Sequence, residues 1–505
     1  MARTHAPWRL RAAFAARLSA LYGREVPAYA TLVDVSREVN EDVLRERGAA
    51  AERLGAIGRV TAERHGAIRV GTPDELARVA RIFGALGMRP VGFYDLRDAA
   101  SAVPVVSTAF RPVDADELAR NPFRVFTSLL TPADPRFFDA GLRARIERFL
   151  AARELFPPQL LALADRAEAE RGLGDADAER FLELAVRAFA LSTEPVDRAW
   201  YETLARVSAV AADIGGVRGT HLNHLTPRVL DIDELYRRMT ARGVEMIDTI
   251  QGPPAWDGPD VLLRQTSFRA LDERRALRLP DGSVVEGTLR VRFGEVEARG
   301  IALTRRGRAL YDELLDRIDA ELTARREADP RTPGAPGPRT PGAPGPRTPG
   351  AGARTPGAGA RADVARAVWD AHMPRTEREL AVRGLGHFTY RAVPDRPRDG
   401  AAPPADLAGL LDGGWVRAEP VVYEDFLPRS AAGIFQSNLT EAGARDDARA
   451  GVAYDRDWLS GAVGRDVLDP FALYERQERR SLERAVRDLR LPEVPRVPAP
   501  HTPEA

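Results

Sequence analysis

Residues 224–237, HLTPRVLDIDELYR, restate residues 65–78, HGAIRVGTPDELAR, and a chain that writes one segment twice is constrained to build one structural unit twice. Aligned on their histidines, Arg69 answers Arg228 and Val70 answers Val229, while Asp74-Glu75-Leu76 answers Asp233-Glu234-Leu235 and Arg78 answers Arg237. A second echo, Thr108-Ala109-Phe110-Arg111 against Thr266-Ser267-Phe268-Arg269, follows at almost the same spacing: 110 − 65 = 45 and 268 − 224 = 44. The pattern predicts two related modules whose first strands each bring a histidine, His65 and His224, to a shared site.

Around this repeat the chain divides by periodicity. Residues 1–60 read as helices, and residues 61–134 as a first β-α-β-β-β module. Strand alternation sets His65, Ala67 and Arg69 on one face, so a ligand atom and a cation point the same way. A helix opens at Thr72 or Pro73, with Asp74 and Glu75 where the positive helix end favours carboxylates, and runs to Gly87. Strands are expected at 90–94, 103–110 and 123–130. Residues 135–215 form a helical insertion, clearest in ERFLELAVRAFAL. The second module spans 216–327, with a helix at 231–242, strands near Met246 and at 261–268 and 288–297, and a helix at 307–326. The Pro/Gly repeat of 328–361 has little to bury and predicts a disordered linker. Residues 362–490 read as folded, and 491–505 as a Pro-rich tail. The expected class is α+β, a duplicated βαβββ unit with a helical insertion and helical additions at both ends.

Composition narrows the chemistry. The chain has no cysteine and no lysine, which removes thiolate nucleophiles, Cys-held metals, Schiff bases and P-loop phosphate binding. Acidic and basic residues balance at 74 each, so no net field recruits nucleic acid or an anionic membrane. No apolar run is long enough to span a bilayer, and Arg9, Arg11 and Arg17 break up any leader-like segment, which predicts a cytoplasmic protein. No protein partner is inferred. Histidines, carboxylates, hydroxyls and a metal remain. Two neutral imidazoles and one carboxylate on one octahedral face leave open positions for substrate and oxygen, the set typical of non-haem Fe(II) oxygenases. His65 and His224 supply the imidazoles; His221, three residues before His224, falls on the opposite face and has no repeat partner. In TLRVRFGEVEARG, alternation places Val291, Phe293, Glu295 and Glu297 on one face, so either glutamate is a candidate. His5 and His501 lie in tails, and His372 and His387 have no carboxylate in a suggestive register.

The motifs HGAIRVGT, NHLTPRVLDID, RFGEVEARG and YEDFLPRSAAGIFQSNL, in this order, resemble the 2-oxoadipate dioxygenase/decarboxylase family, related to the vicinal oxygen chelate superfamily. The resemblance covers most of the chain outside the Pro/Gly insert. It implies an open barrel around one Fe(II), held by His65, His224 and Glu295, with Arg69 on a substrate carboxylate. Residues 362–490 then complete the substrate pocket, through the segment carrying Ser430. FGEVEAR is also similar to the metal-carboxylate strand of 4-hydroxyphenylpyruvate dioxygenase, where the first glutamate is the ligand, and this favours Glu295 over Glu297. Two positions depart from the family: Arg429 stands where a small apolar residue precedes the serine, adding a guanidinium that bears on which diacid is accepted, and Val106 stands where many members have histidine.

The implied reaction converts 2-oxoadipate and O2 to 2-hydroxyglutarate and CO2, late in lysine catabolism, with no external cosubstrate. Its rivals are another oxygen-chelate dioxygenase acting on a different 2-oxo acid or a catechol, a non-catalytic metal-binding protein on the same scaffold, and a zinc hydrolase.

Overall fold

His65 enters a strand because the segment after it, GAIRV, is short, apolar and closed by a capped helix. In the computed structural model, which describes residues 4–98, 102–290, 292–328, 358–394, 402–427, 438 and 445–491, this is β1 (Arg64–Val70), buried from His65 onward. At Gly66 a Cβ would stand 2.9 Å from Leu222 Cδ1, so a larger residue there would have to displace that side chain. Thr72 caps the helix Pro73–Ala85, accepting from the Glu75 amide at 3.1 Å while the Glu75 carboxylate reaches back, a capping box. Strands β2 (Arg89–Asp95), β3 (Val105–Arg111) and β4 (Arg124–Leu130) follow; the strands come in the expected order, but a short helix, Ala115–Arg120, capped by Asp114, stands between the last two, where the expected β-α-β-β-β order has none.

Residues 135–215 are mainly helical, from Ala140–Ala151 to Ala209–Gly215. The chain then re-enters the sheet as β5 (His224–Pro227) and continues through the helix Ile232–Ala241, β6 (Leu263–Phe268), β7 (Asp272–Arg278), β8 (Val284–Arg290) and β9 (Gly294–Arg299). The single strand expected at 288–297 is two, β8 and β9. The hairpin β7–β8 pairs Asp272 with Arg290 through Arg278 with Val284. Its β8 alternation is muted because most of that strand is exposed, but Pro280-Asp281-Gly282 is the turn signal that marks it. Near Met246 there is only an isolated bridge, to Phe268.

Five strands form one sheet in the order β2-β3-β4-β1-β5. β1 runs parallel to β4, and β4 antiparallel to β3. On its other side β1 runs antiparallel to β5, with Ala67 opposite His224. Beyond β5, Arg228 bridges Glu297 in parallel, and β9 pairs antiparallel with β6. Helices Pro7–Glu25 and Pro27–Arg47 brace this seam. Tyr22 Oη donates to the carbonyls of Asn223 (2.9 Å) and Phe293 (2.8 Å), and Asn40 bonds the Arg228 carbonyl and the Leu230 amide.

The chain divides into two units, the first holding residues 1–252, 262–300 and 422–477, and the second 253–261, 301–421 and 478–505. All strands above belong to the first. In the second, Trp369 is fully buried and packs edge-on against Trp256 and Tyr311. There His387, without a carboxylate in its own sequence neighbourhood, takes Glu478 at 2.7 Å, 91 residues along the chain. The Pro/Gly segment expected to be a linker lies almost entirely outside the described residues.

Candidate metal centre

The pairing just described puts three donors on one face. Ala67 lies opposite His224, so His65, two residues along β1, projects to the same side. The bridge between Arg228 and Glu297 brings β9 alongside β5, and Phe293 stacks on the His224 ring at 5.5 Å, with planes 15° apart. Glu295 Oε2 lies 3.4 Å from His65 Nε2 and Oε1 lies 3.5 Å from His224 Nε2. One ligand atom from each residue falls within 4.8 Å of the others, and all three side chains are buried. Among the described residues this is the group of His and carboxylate donors so arranged.

The residue before Glu295 is a glycine for a steric reason: a Cβ on Gly294 would run into the Phe268 ring. Phe126, Gln265, Phe426 and Leu427 complete the lining of a small cavity with the three donors. Phe426 meets His65 edge-on at 5.0 Å and Phe126 at 5.0 Å.

Glu297, the other glutamate on the inward face, does not join the three. Its Oε2 lies 2.9 Å from His65 Nδ1. Arg299 clamps the same carboxylate at 2.6 and 2.9 Å, and Arg124 reaches it at 3.3 Å. Arg124 also donates to Glu63 and Glu424, both at 2.6 Å, and Arg228 to Glu63 at 3.0 Å. Burial alone would neutralise Glu297, but Arg299, His65 and Arg124 hold its carboxyl below the ordinary range. Burial would likewise discharge His65, yet Glu297 and Glu295 beside it raise its pKa. His224 is different: burial lowers its pKa to about 4 against the pull of Glu295, so its ring is neutral. His224 Nδ1 has Thr226 Oγ1 at 3.2 Å.

The remaining sequence candidates separate. Arg69 is buried and its guanidinium pairs with Asp213. Asn223 donates to the same Asp213 oxygen at 2.8 Å. His221 joins this second group, 3.3 Å from Asp213, and not the three donors. Burial, reinforced by Arg292, Arg275 and Arg69, lowers its pKa to about 4. Arg228 faces Glu63, and Val106 is buried on β3. Ser430 and Arg429 lie outside the described residues. Sequence reasoning missed Gln265, Phe126 and Phe426; only the TSFR echo, whose Thr266 follows Gln265, points near the first. It missed Asp213 and the Glu63, Arg124, Arg299 and Glu424 charges altogether.

Residues 14–438 match the family model for 2-oxoadipate dioxygenase/decarboxylase. A protein of that name from Mycobacterium tuberculosis is 54% identical over 474 residues, covering 93% of this chain and 97% of the relative. One from Pseudomonas putida is 41% identical over 493 residues, covering 96% and 98%. The crystal structure of the P. putida hydroxyglutarate synthase in complex with 2-oxoadipate superposes with a TM-score of 0.79 at 39% identity, covering 97% of this chain and 99% of that one. The order of motifs, the mixed α+β architecture and near full-length identity agree, and the chain belongs to the 2-oxoadipate dioxygenase/decarboxylase family.

Proposed function

We propose that His65, His224 and Glu295 hold one Fe(II) ion and that the chain converts 2-oxoadipate and O2 to 2-hydroxyglutarate and CO2. The observation that carries this reading is the buried convergence of two imidazoles and one carboxylate within 4.8 Å. The donor set fits such an ion: His224 is neutral, the carboxylate is acceptor-only, and the other lining residues include Phe126, Phe426 and Leu427, which supply no competing charge. When bound, the iron supplies Lewis acidity and redox reactivity toward O2 that no side chain here possesses.

The protein's own groups do the positioning. Glu297 sits at His65 Nδ1, which favours the proton there and leaves Nε2 free to ligate. Thr226 does the corresponding work for His224. The two carboxylates concentrate negative charge at His65, drawing either a proton or a metal ion. Arg69 shares the His65 face of β1 and is held by Asp213; its guanidinium is the group for a substrate carboxylate. Ser430 and Arg429 are assigned to the same pocket on the motif resemblance. Phe126 and Phe426 keep water from the reacting carbon. The reaction balances without an external reductant, because both oxygen atoms of O2 are retained in the products.

The pairing order β5, β9, β6 and then the Met246 bridge repeats β1, β4, β3 and β2, in the same parallel and antiparallel senses. This supports a duplicated βαβββ unit closing as an open barrel around the metal. None of the described helices is long and apolar enough to cross a membrane, and a cytoplasmic location fits a small diffusible substrate. The decisive experiment loads the metal-free protein with Fe(II) anaerobically, adds O2 and 2-oxoadipate, and identifies the product by mass. Turnover of catechols or arylpyruvates instead, activity with zinc in the absence of O2, or stoichiometric iron with no O2 consumption would each overturn it.

A further inference from the structure

A cavity of about 280 Å³ that shares no lining residue with the metal centre lies between helices Ala140–Ala151 and Arg198–Ala205 and strand β7. That is near the lower end of small-ligand pockets, roughly 300–1,000 Å³. Its most unusual wall residue is Arg275, 7% exposed. The Arg275 Nη1 atom is buried without a hydrogen-bond partner, and its guanidinium makes no ion pair with a described residue. Asp213 and Glu273 attract it from a distance and Arg292 repels it. A buried guanidinium left so is costly unless an anion completes it.

The rest of the wall is cationic and apolar. Arg145 rests over the Trp200 ring, 4.2 Å from its centroid, and Phe149 packs on the same ring at 6.3 Å. Arg278 and Arg218 are exposed at the rim. Four arginines against the carboxylates of Glu194 and Asp197 leave 4 − 2 = +2. Asp197 is already engaged, capping the helix at the Trp200 amide at 2.9 Å, and Glu194 stands 3.9 Å from Arg218.

We propose that this cavity is a second, non-catalytic binding site for a small organic dicarboxylate. Arg275 takes one carboxylate in the buried end, rim guanidinia from Arg278 and Arg145 take the other, and the methylene chain lies on Phe149 and Trp200. A planar guanidinium fork matches a carboxylate bidentately. A phosphate would favour clustered backbone N–H donors, but the adjacent helix N-terminus is already filled by Asp197.

The test is calorimetric titration of the full-length protein with glutarate, which has two carboxylates and no 2-oxo group. Saturable binding is expected in the wild type, persisting in Arg69→Gln and weakened at least tenfold in Arg275→Gln. Since that substitution removes an unpaired buried charge, the variant is expected to fold. The exposed pair Arg145→Ala/Arg278→Ala, which has no buried role, is expected to weaken binding severalfold and decides the matter if Arg275→Gln does not fold. Loss of all glutarate binding in Arg69→Gln would overturn the proposal, as would wild-type affinity in the Arg275 and rim variants. Tighter binding of inorganic phosphate than of glutarate would overturn the dicarboxylate assignment.

Discussion

Glu295 and Glu297, two residues apart on one strand, bracket a single imidazole: Glu295 Oε2 is 3.4 Å from His65 Nε2 and Glu297 Oε2 is 2.9 Å from His65 Nδ1. Their equal parity makes them interchangeable on paper, but the fold gives them opposite ends of the ring. Glu295→Gln is therefore expected to abolish stoichiometric iron binding and turnover, while Glu297→Gln leaves an iron site weakened about 10–100-fold. Competition against a chelator measures both. Equal effects of the two substitutions would refute the division of roles.

His65→Ala and His224→Ala should each remove more than about three orders of magnitude in turnover, because no other described histidine, aspartate or glutamate joins the three. Both rings are buried, so the metal-free variants should unfold at lower temperature than the metal-free wild type while staying folded at assay temperature, which circular dichroism checks. Retention of turnover by both would show that the iron sits elsewhere.

Arg69→Gln is expected to raise KM for 2-oxoadipate about 10–100-fold, the loss of a charged hydrogen bond worth roughly 1.5–3 kcal/mol. Asp213→Asn should raise KM by less, since it loosens the guanidinium without removing it. A change confined to kcat in steady-state oxygen-uptake assays would argue against substrate binding by Arg69.

His221 links pH to stability. Its folded pKa, about 4, lies below the ordinary 6.5, so the unfolded chain binds more protons between these values. Stability from this group is complete above pH 6.5 and is lost as pH falls toward 4, by up to roughly 3 kcal/mol. Urea midpoints across pH 4.5–7.5 should fall with acid more steeply in the wild type than in His221→Gln. Parallel slopes would show that the buried histidine does not titrate this way.

Gly294→Ala tests how Glu295 is aimed. The new Cβ would press on the Phe268 ring, and relieving it moves either the ring or β9. A cost of about 1–3 kcal/mol in urea unfolding is expected, together with weaker iron binding. An unchanged iron affinity would mean that the strand is not held in place by this contact.

The convergence of three side chains was legible in the sequence because each had a local mark: His65 and His224 matched in a repeat, and Glu295 alternated with Phe293, a mark that Glu297 shares. The strands between Arg64 and Leu130 were legible because they are short and buried, beside a capped helix and turns, whereas the helix Ala115–Arg120 among them was not. The charges behind the site carry no such mark. Arg124 meets Glu424 across 300 residues and Glu297 across 173, and no periodicity encodes a partner at that range. The β7–β8 hairpin was missed because β8 carries little of the alternation that reveals half-buried strands.

His65 and His224 are separated by 224 − 65 = 159 residues, and Glu295 follows by 295 − 224 = 71. A ribosome therefore releases the first imidazole long before the carboxylate that completes its set. No nascent fragment ending before β9 can bring the three side chains together, so the cluster exists only in chains already made past that strand.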